Sequence, residues 1–314
     1  MEKPKSVSIA HPSSAAPRRL FSLKTKEMLI AGIFILPSLI GLLTFVVFPT
    51  LRAFYLSLTN SNLINRADFV GLENYTRLIH DKQFWASLKI TAEYVLLNIP
   101  LQTILALALA MVMWRLTKST VVRAIVFLPY LVPMMMVMLV WLTVLHYDFG
   151  PVNGLINRFF GPNARFNFFS QTSIIPSIAL VNTWRHVGYV SLLLFAGLQT
   201  IPAEVYEAAA IDGANGWNVF TRITLPLLRP VIAFVVVTSL VGAFQVYDRV
   251  AVAAVPSGGP GDSTRVIFWY IVNLAFTRFQ MGYASAVAVA LFLICAVITW
   301  FNMKSFRANE SDLG

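Results

Sequence analysis

The sequence predicts an all-α membrane protein: six transmembrane helices, both termini cytoplasmic, and a short cytoplasmic helix between the fourth and fifth spans. Three observations carry that expectation. Apolar residues make up 57% of the 314 and the mean hydropathy is +0.70, above the apolar share of about 45–50% typical of soluble domains. Several apolar runs reach the roughly 20 residues that a helix needs to cross a bilayer. The 24 Lys+Arg against 14 Asp+Glu give a net charge of +10, and the basic residues gather at the N-terminus and in short loops between apolar runs. Membrane topology explains that spacing; a nucleic-acid groove needs a continuous basic patch interleaved with aromatics. The expected organisation is a cytoplasmic tail over 1–27, one membrane domain over 28–304 and a cytoplasmic tail over 305–314.

The N-terminal tail carries Lys3, Lys5, Arg18, Arg19, Lys24 and Lys26. The first span, 28–51, is too long for the apolar core of a cleaved signal peptide, so it reads as an anchor whose basic flank stays inside. Pro37, Gly41 and Pro49 interrupt it, which is tolerable where neighbours re-satisfy the backbone. Residues 52–85 form an aromatic-rich outside segment. The second span, 86–114, contains Glu93 and Pro100, and Arg115, Lys118 and Arg123 mark a cytoplasmic turn after it. The third, 121–146, carries Pro129, Pro133 and a cluster of methionines at 134–136 that fills packing gaps. Residues 147–171 lie outside; their charges Asp148, Arg158 and Arg165 are solvated, or meet a partner. The fourth span is 173–198 and the fifth 231–255. A turn at 256–260 and an amphipathic helix over 265–279 follow, the latter on the membrane surface or under a partner. The sixth span, 283–303, ends at Lys304 and Arg307.

Between the fourth and fifth spans, 199–230 is a polar, carboxylate-bearing island. Pro202 suits a helix start, because its missing N–H needs no partner there. Glu204 and Glu207 then lie near the positive end of the helix dipole. Ala208, Ala209 and Ala210 favour helix and let another protein approach the backbone. Gly213 and Gly216 break the helix; Phe220, Ile223 and Leu225 offer an apolar edge before Pro226 and Pro230. On these residues alone the island is either an amphipathic helix lying on its own membrane domain or a docking element.

Charged and polar side chains at membrane depth usually face the bundle interior or a water-filled cavity. In the fourth span Asn182, Arg185, His186 and Tyr189 share one helical face, with Trp184 beside them. In the fifth, Gln245, Asp248 and Arg249 have similar spacing, with Phe244 adjacent. Two readings stand: a substrate pathway, its amides and charges meeting hydroxyls and its aromatics a sugar ring, or an internal Arg–Asp pair locking two helices. Glu93 pairs with a helix end or a partner, or touches a ligand. Cys295 is alone, and His11, His80, His146 and His186 lack metal-site spacing. No Gly-x4-Gly-Lys-Ser/Thr loop occurs, and the quartet 213–216 resembles an RNA-clamping loop only in letters. No catalytic or metal site is expected.

The island is similar to a known element. Glu207, Ala208, Ala209, Asp212, Gly213, Ala214, Phe220, Ile223, Leu225 and Pro226 resemble the EAA loop of ABC importer permeases. Phe69 to Tyr75, followed by Asp81, Phe84 and Trp85, looks like the matching stretch of that family's carbohydrate branch; Lys89 and Ile90 depart from its usual Asn-Thr. The resemblance covers about 28–304. It implies a subunit of a binding-protein-dependent importer in a bacterial cytoplasmic (inner) membrane, working by alternating access. Implied partners are a second permease, an ATPase dimer that binds ATP and Mg, an extracytoplasmic binding protein and membrane lipid, with no nucleic acid and no cofactor in this chain. The loop helix, with Glu204 and Glu207, would enter a cleft on the ATPase. Asn182, Trp184 and Tyr189, with Phe244, Gln245 and Asp248, resemble sugar-contacting positions of maltose-type permeases. Arg185, His186 and Asp248 depart from that type and favour an anionic substrate, such as an acidic oligosaccharide or a glycerol phosphate. A proton-coupled secondary transporter using Glu93, Arg185 and Asp248 is the main alternative, though such chains show inverted repeats and more spans. A membrane scaffold that recruits an ATPase is another.

Overall fold

Proline chemistry and apolar periodicity decide where the helices run and where they break. The computed structural model describes residues 20–62, 67–117, 119–161, 163–253 and 260–308, with backbone alone at 20–26, 29 and 305–308. Most of the expected basic tail, Lys118, the turn at 256–259 and the residues beyond 308 lie outside the described residues. The chain divides into two compact units, 1–52 and 53–314.

The first unit holds α1 (Leu20–Leu42), a π-turn (Leu43–Val47) and the start of α2 (Phe48–Leu56). The helix thus begins ahead of the expected position 28. The π-turn closes with the Phe48 N–H on the Leu43 carbonyl. It widens the ladder just before Pro49, whose ring would clash with an α-helical carbonyl and has no N–H to give.

The second unit begins with α3 (Glu73–His80) and α4 (Lys82–Leu116), then α5 (Thr120–Leu131), α6 (Met134–Val144) and α7 (Pro151–Phe160). α8 (Ile174–Gln199), α9 (Ala203–Ile211) and α10 (Gly216–Val219) follow. A π-turn (Phe220–Thr224) joins α10 to α11 (Leu225–Phe244), and α12 is Asp248–Ala253. α13 (Ile267–Val272) leads through a π-turn (Asn273–Thr277) into α14 (Met281–Ala308).

Five helical stretches among the described residues are long and apolar enough to cross a membrane, and α5 with α6 make a sixth only as a pair bent by 90°. The expected third span is therefore two helices. Val132 is extended (φ −74, ψ 132) ahead of Pro133, because a proline disfavours the α conformation in the residue before it. The fifth span also differs. It starts at Gly216 rather than 231, and it stops at Phe244, with Gln245 to Tyr247 as a break before α12. Pro226 follows its π-turn at the same offset as Pro49 follows the first, so an extra residue in the turn lets the helix pass through a proline.

α4 and α8 run side by side in the same direction, since Asn98 meets Asn182 while Ala106, Ala110 and Met113 pack with Val190, Leu194 and Leu198. α5 lies close on α8 at Gly188, where a Cβ would fall 1.9 Å from the Val126 carbonyl oxygen. The interior holds two apolar clusters. One runs to Ile99 on α4 and Val181 on α8 and resumes at Ala243 on α11; the other starts at Ala106 and Val190 and reaches Val235. A polar band separates them. The helix expected over 265–279 is buried along Ile267, Tyr270 and Leu274, an i, i+3, i+7 face, and the Ile267 N–H donates to Thr91 Oγ1 at 2.8 Å. It packs within the unit rather than along its surface.

A second polar node ties helix ends together. Asp81 caps α4 by accepting from the Gln83 N–H and also accepts the Tyr270 and Tyr283 hydroxyls, each at 2.5 Å. Burial pushes the Asp81 carboxyl up, but the two tyrosine and two backbone hydrogen bonds outweigh it and hold the carboxyl below the usual range. Burial first, and then the Asp81 hydrogen bond and charge, push the Tyr270 phenol well above its ordinary value.

Candidate functional site

The polar band is built from one face of each of three spans. Tyr94, Asn98 and Gln102 recur every four residues on α4, which stacks them on one side of the helix. Asn182, His186 and Tyr189 do the same on α8, and Thr238, Ser239 and Gly242 supply the wall from α11. Apart from Tyr94, these residues surround a cavity of about 210 Å³ together with Tyr130 and Arg249.

The amides are buried and each has at least one partner. Asn98 is 2% exposed; its Nδ2 donates to the Ala179 carbonyl at 3.2 Å and to Thr183 Oγ1 at 3.1 Å. Asn182 donates to Asn98 Oδ1 at 3.0 Å, and Gln102 donates to Ser239 Oγ at 3.3 Å. Arg249 donates to the Asn182 side-chain oxygen, to the Tyr94 hydroxyl at 3.1 Å and to Asp248 at 3.3 Å. Each such pairing matters because a buried amide without a partner costs about 1–3 kcal/mol. The Tyr130 and Tyr189 rings stack at 4.5 Å and form an aromatic wall.

Arg185 does other work. Its Nε donates to the Val132 carbonyl at 2.9 Å and its Nη2 to the Tyr130 carbonyl at 2.8 Å, so it satisfies the carbonyls freed where α5 ends. Nη1 donates to His186 Nε2 at 3.1 Å, and His186 Nδ1 meets the Asn182 carbonyl at 3.0 Å. A guanidinium only donates and a carbonyl only accepts, so Nδ1 carries the imidazole proton.

The remaining predicted residues separate from this cluster. Trp184 is exposed and packs edge-on against Trp141 at 5.4 Å, away from the cavity. Phe244 is buried in the apolar cluster, and Gln245 is exposed at the end of α11. Asp248 faces Arg249 rather than Arg185, so the lock between helices runs through Arg249 and two asparagines, not through an Arg185–Asp248 pair. Glu93 is exposed on another face of α4, where it borders a separate cleft with Lys82, Lys89 and Asp262. Sequence reasoning passed over Tyr94, Asn98, Gln102, Tyr130, Thr238 and Ser239. The spacing of the first three within an apolar span was the available signal.

The island between the spans forms α9, with Pro202 just ahead of it. Gly213 ends it at φ +70, a left-handed conformation that glycine adopts without strain. Glu204, Glu207, Ala208, Asp212 and Gly213 are exposed, whereas Ala209 is buried and Ala214 donates its N–H to the Ala209 carbonyl at 3.0 Å. Ile211 is 87% and Trp217 71% exposed, so an apolar edge accompanies the carboxylates. Phe220, Ile223, Leu225 and Pro226 fall in the helix that becomes the fifth span, partly buried, and not in a loop.

Residues 102–304 match the family model described as "binding-protein-dependent transport system inner membrane component". The chain belongs to that family. This permease is 33% identical over 290 residues to the trehalose/maltose transport system permease protein MalF of Thermococcus litoralis, covering 91% of this chain and 96% of that one. It is 31% identical over 297 residues to the sulfoquinovosyl glycerol transport system permease protein SmoG of Agrobacterium fabrum, covering 94% and 96%. Its fold matches a chain in the crystal structure of a bacterial alginate ABC transporter in complex with an alginate pentasaccharide-bound periplasmic protein, with TM-score 0.78, 23% identity, and 91% and 96% of the two chains covered. The permease is thus a multi-pass membrane subunit of the sugar-importing ABC type, and its homologues are not themselves enzymes.

Proposed function

We propose that this permease imports a carbohydrate by alternating access, with α9 docked on a separate ATPase subunit and the polar band forming part of the substrate path. The observation that carries the reading is the cavity of Asn98, Gln102, Asn182, Tyr189, Ser239 and Arg249 between two apolar cores. Amides and hydroxyls suit sugar hydroxyls, and the stacked Tyr130 and Tyr189 suit the apolar face of a sugar ring. Polar groups facing hydrocarbon are costly, so this reading places a second permease over the cavity mouth. Arg115 and Arg123 flank the turn at the α9 end, since Trp114 meets Tyr206 there; the bias of basic residues to the inner side supports a cytoplasmic α9 and an inner-membrane setting. ATP and Mg are then the ATPase's ligands, and a binding protein delivers substrate at the opposite face.

A second reading concerns charge. Arg249 borders the cavity, and one relative is named for sulfoquinovosyl glycerol. The cation favours an acidic oligosaccharide or a glycerol phosphate over a neutral sugar, whereas the Thermococcus litoralis relative is named for trehalose and maltose. Arg185, whose donors are spent on carbonyls and His186, lends that reading little support.

The test is co-purification through a tag on this chain, followed by ATP hydrolysis with a panel of neutral and acidic oligosaccharides presented on the binding protein. An ATPase subunit and sugar-stimulated hydrolysis are expected, both lost in Glu207→Arg. Uptake driven by a proton gradient with no ATPase bound would overturn the reading.

A further inference from the structure

We propose that Tyr206 is the positioning residue through which displacement of α9 reaches the cavity, an inference that rests on the coupling role given to α9 above. α9 has two sides. Glu204, Glu207, Ala208, Ala210 and Ile211 are exposed, whereas Tyr206 and Ala209, at i and i+3, turn toward the bundle. Tyr206 reaches two spans at once. Its ring lies 5.1 Å from that of Trp114 near the end of α4, and its hydroxyl is 3.3 Å from Thr224 Oγ1. Thr224 is 5% exposed and is the last residue of the π-turn from which α11 springs.

Both spans continue into the polar band. α4 carries Asn98 and Gln102, the latter about 18 Å from Trp114 along the helix axis. α11 carries Thr238 and Ser239, and Ser239 accepts from Gln102. Packed helices move as stiff bodies over that distance because close-packed interiors transmit strain. Without the Tyr206 ring, α9 keeps the small Ala209 side chain against the bundle and its two ends, at Thr200–Pro202 and at Gly213–Asn215. Both are turns that can bend while the spans stay still.

The experiment uses the assembled complex purified with its ATPase subunit. In a Cys295→Ser background, Thr238→Cys reports cavity access by its reaction with a membrane-impermeant maleimide, in ADP or in a non-hydrolysable ATP analogue. The parent should react about tenfold faster with the analogue than with ADP, within the usual range of coupling between sites. Tyr206→Ala should keep the ATPase subunit yet lose that nucleotide response. Tyr206→Phe, which keeps the ring on Trp114, should retain most of it. Trp114→Leu should reproduce Tyr206→Ala, and the double variant should add nothing further, as for two residues in one contact. A parental response in Tyr206→Ala overturns the inference. So does loss of the ATPase subunit from that variant, which would make Tyr206 part of the docking surface. If the parent itself ignores nucleotide, or Glu207→Arg keeps both subunit and response, the coupling reading has failed at its root and the inference falls with it.

Discussion

Arg185 on α8 donates to the Tyr130 carbonyl at 2.8 Å and so holds the end of a different, broken helix. Removing it strands the Tyr130 and Val132 carbonyls. Arg185→Ala should destabilise the purified permease by about 1–3 kcal/mol, read as a lower melting temperature in detergent. Arg185→Lys should recover only part, since a point charge does not reproduce the planar fork that meets two carbonyls. The preference between acidic and neutral sugars should be unchanged in both.

Arg249 is the cation that borders the cavity, and it also holds Asn182. In Arg249→Gln an amide can still hydrogen-bond Asn182 while the charge is gone. Uptake of an acidic oligosaccharide into proteoliposomes should fall about tenfold, the scale of one charge-assisted hydrogen bond, with neutral sugar transport largely kept. An equal fall for both classes would make Arg249 a brace for the asparagines.

The Asp81 node sets a pH window. The carboxyl is depressed in the folded state, so its contribution is present above the unfolded carboxylate range and is lost as pH falls through the folded value. Tyr270 is raised, so its contribution is present below the ordinary phenol range and is lost as pH climbs. Melting temperature should be level between about pH 4 and 10 and fall on either side. Asp81→Asn should remove much of the acid limb and cost about 1 kcal/mol at neutral pH, the low end for a hydrogen-bonded charge because the carboxylate is partly solvated. A fall below pH 4 that persists undiminished in that variant would assign it to other groups.

Gly188 is where two helix backbones touch. Gly188→Ala places a methyl group 1.9 Å from the Val126 carbonyl oxygen and must push α5 away. The overpacking should cost about 1–3 kcal/mol, measured as the shift in thermal midpoint. Gly154→Ala, at a glycine inside α7 with open space around it, is the control and should stabilise by about 0.5–1 kcal/mol.

The spans were legible because hydropathy over about 20 residues is a strong signal, and α9 was legible from Pro202, its alanines and Gly213. Which proline breaks a span was not. Pro100, Pro129 and Pro230 stay inside helices while Pro133 ends one; at Pro133 the freed carbonyls are met by Arg185, which is 53 and 55 residues away in sequence. The cavity was half legible. The α8 face stood out by its charges, whereas Thr238 hides as a hydroxyl bonded back to its own helix at Phe234. Arg249 and Asn182 are too far apart in sequence for any local pattern to join them, and the break after Phe244 turned Gln245 away from the face its spacing suggested.

The π-turn at Phe220–Thr224 gives the fifth span an adjustable phase. One residue in an α-helix is worth about 100° of rotation. Deleting a single residue from the turn would regularise the helix and swing Trp217 about that far around the axis, while Thr238 and Ser239 kept their place against α4. The face that α10 shows at one end of the span and the face that α11 shows to the cavity are therefore set independently, by a single supernumerary residue rather than by the sequence of either.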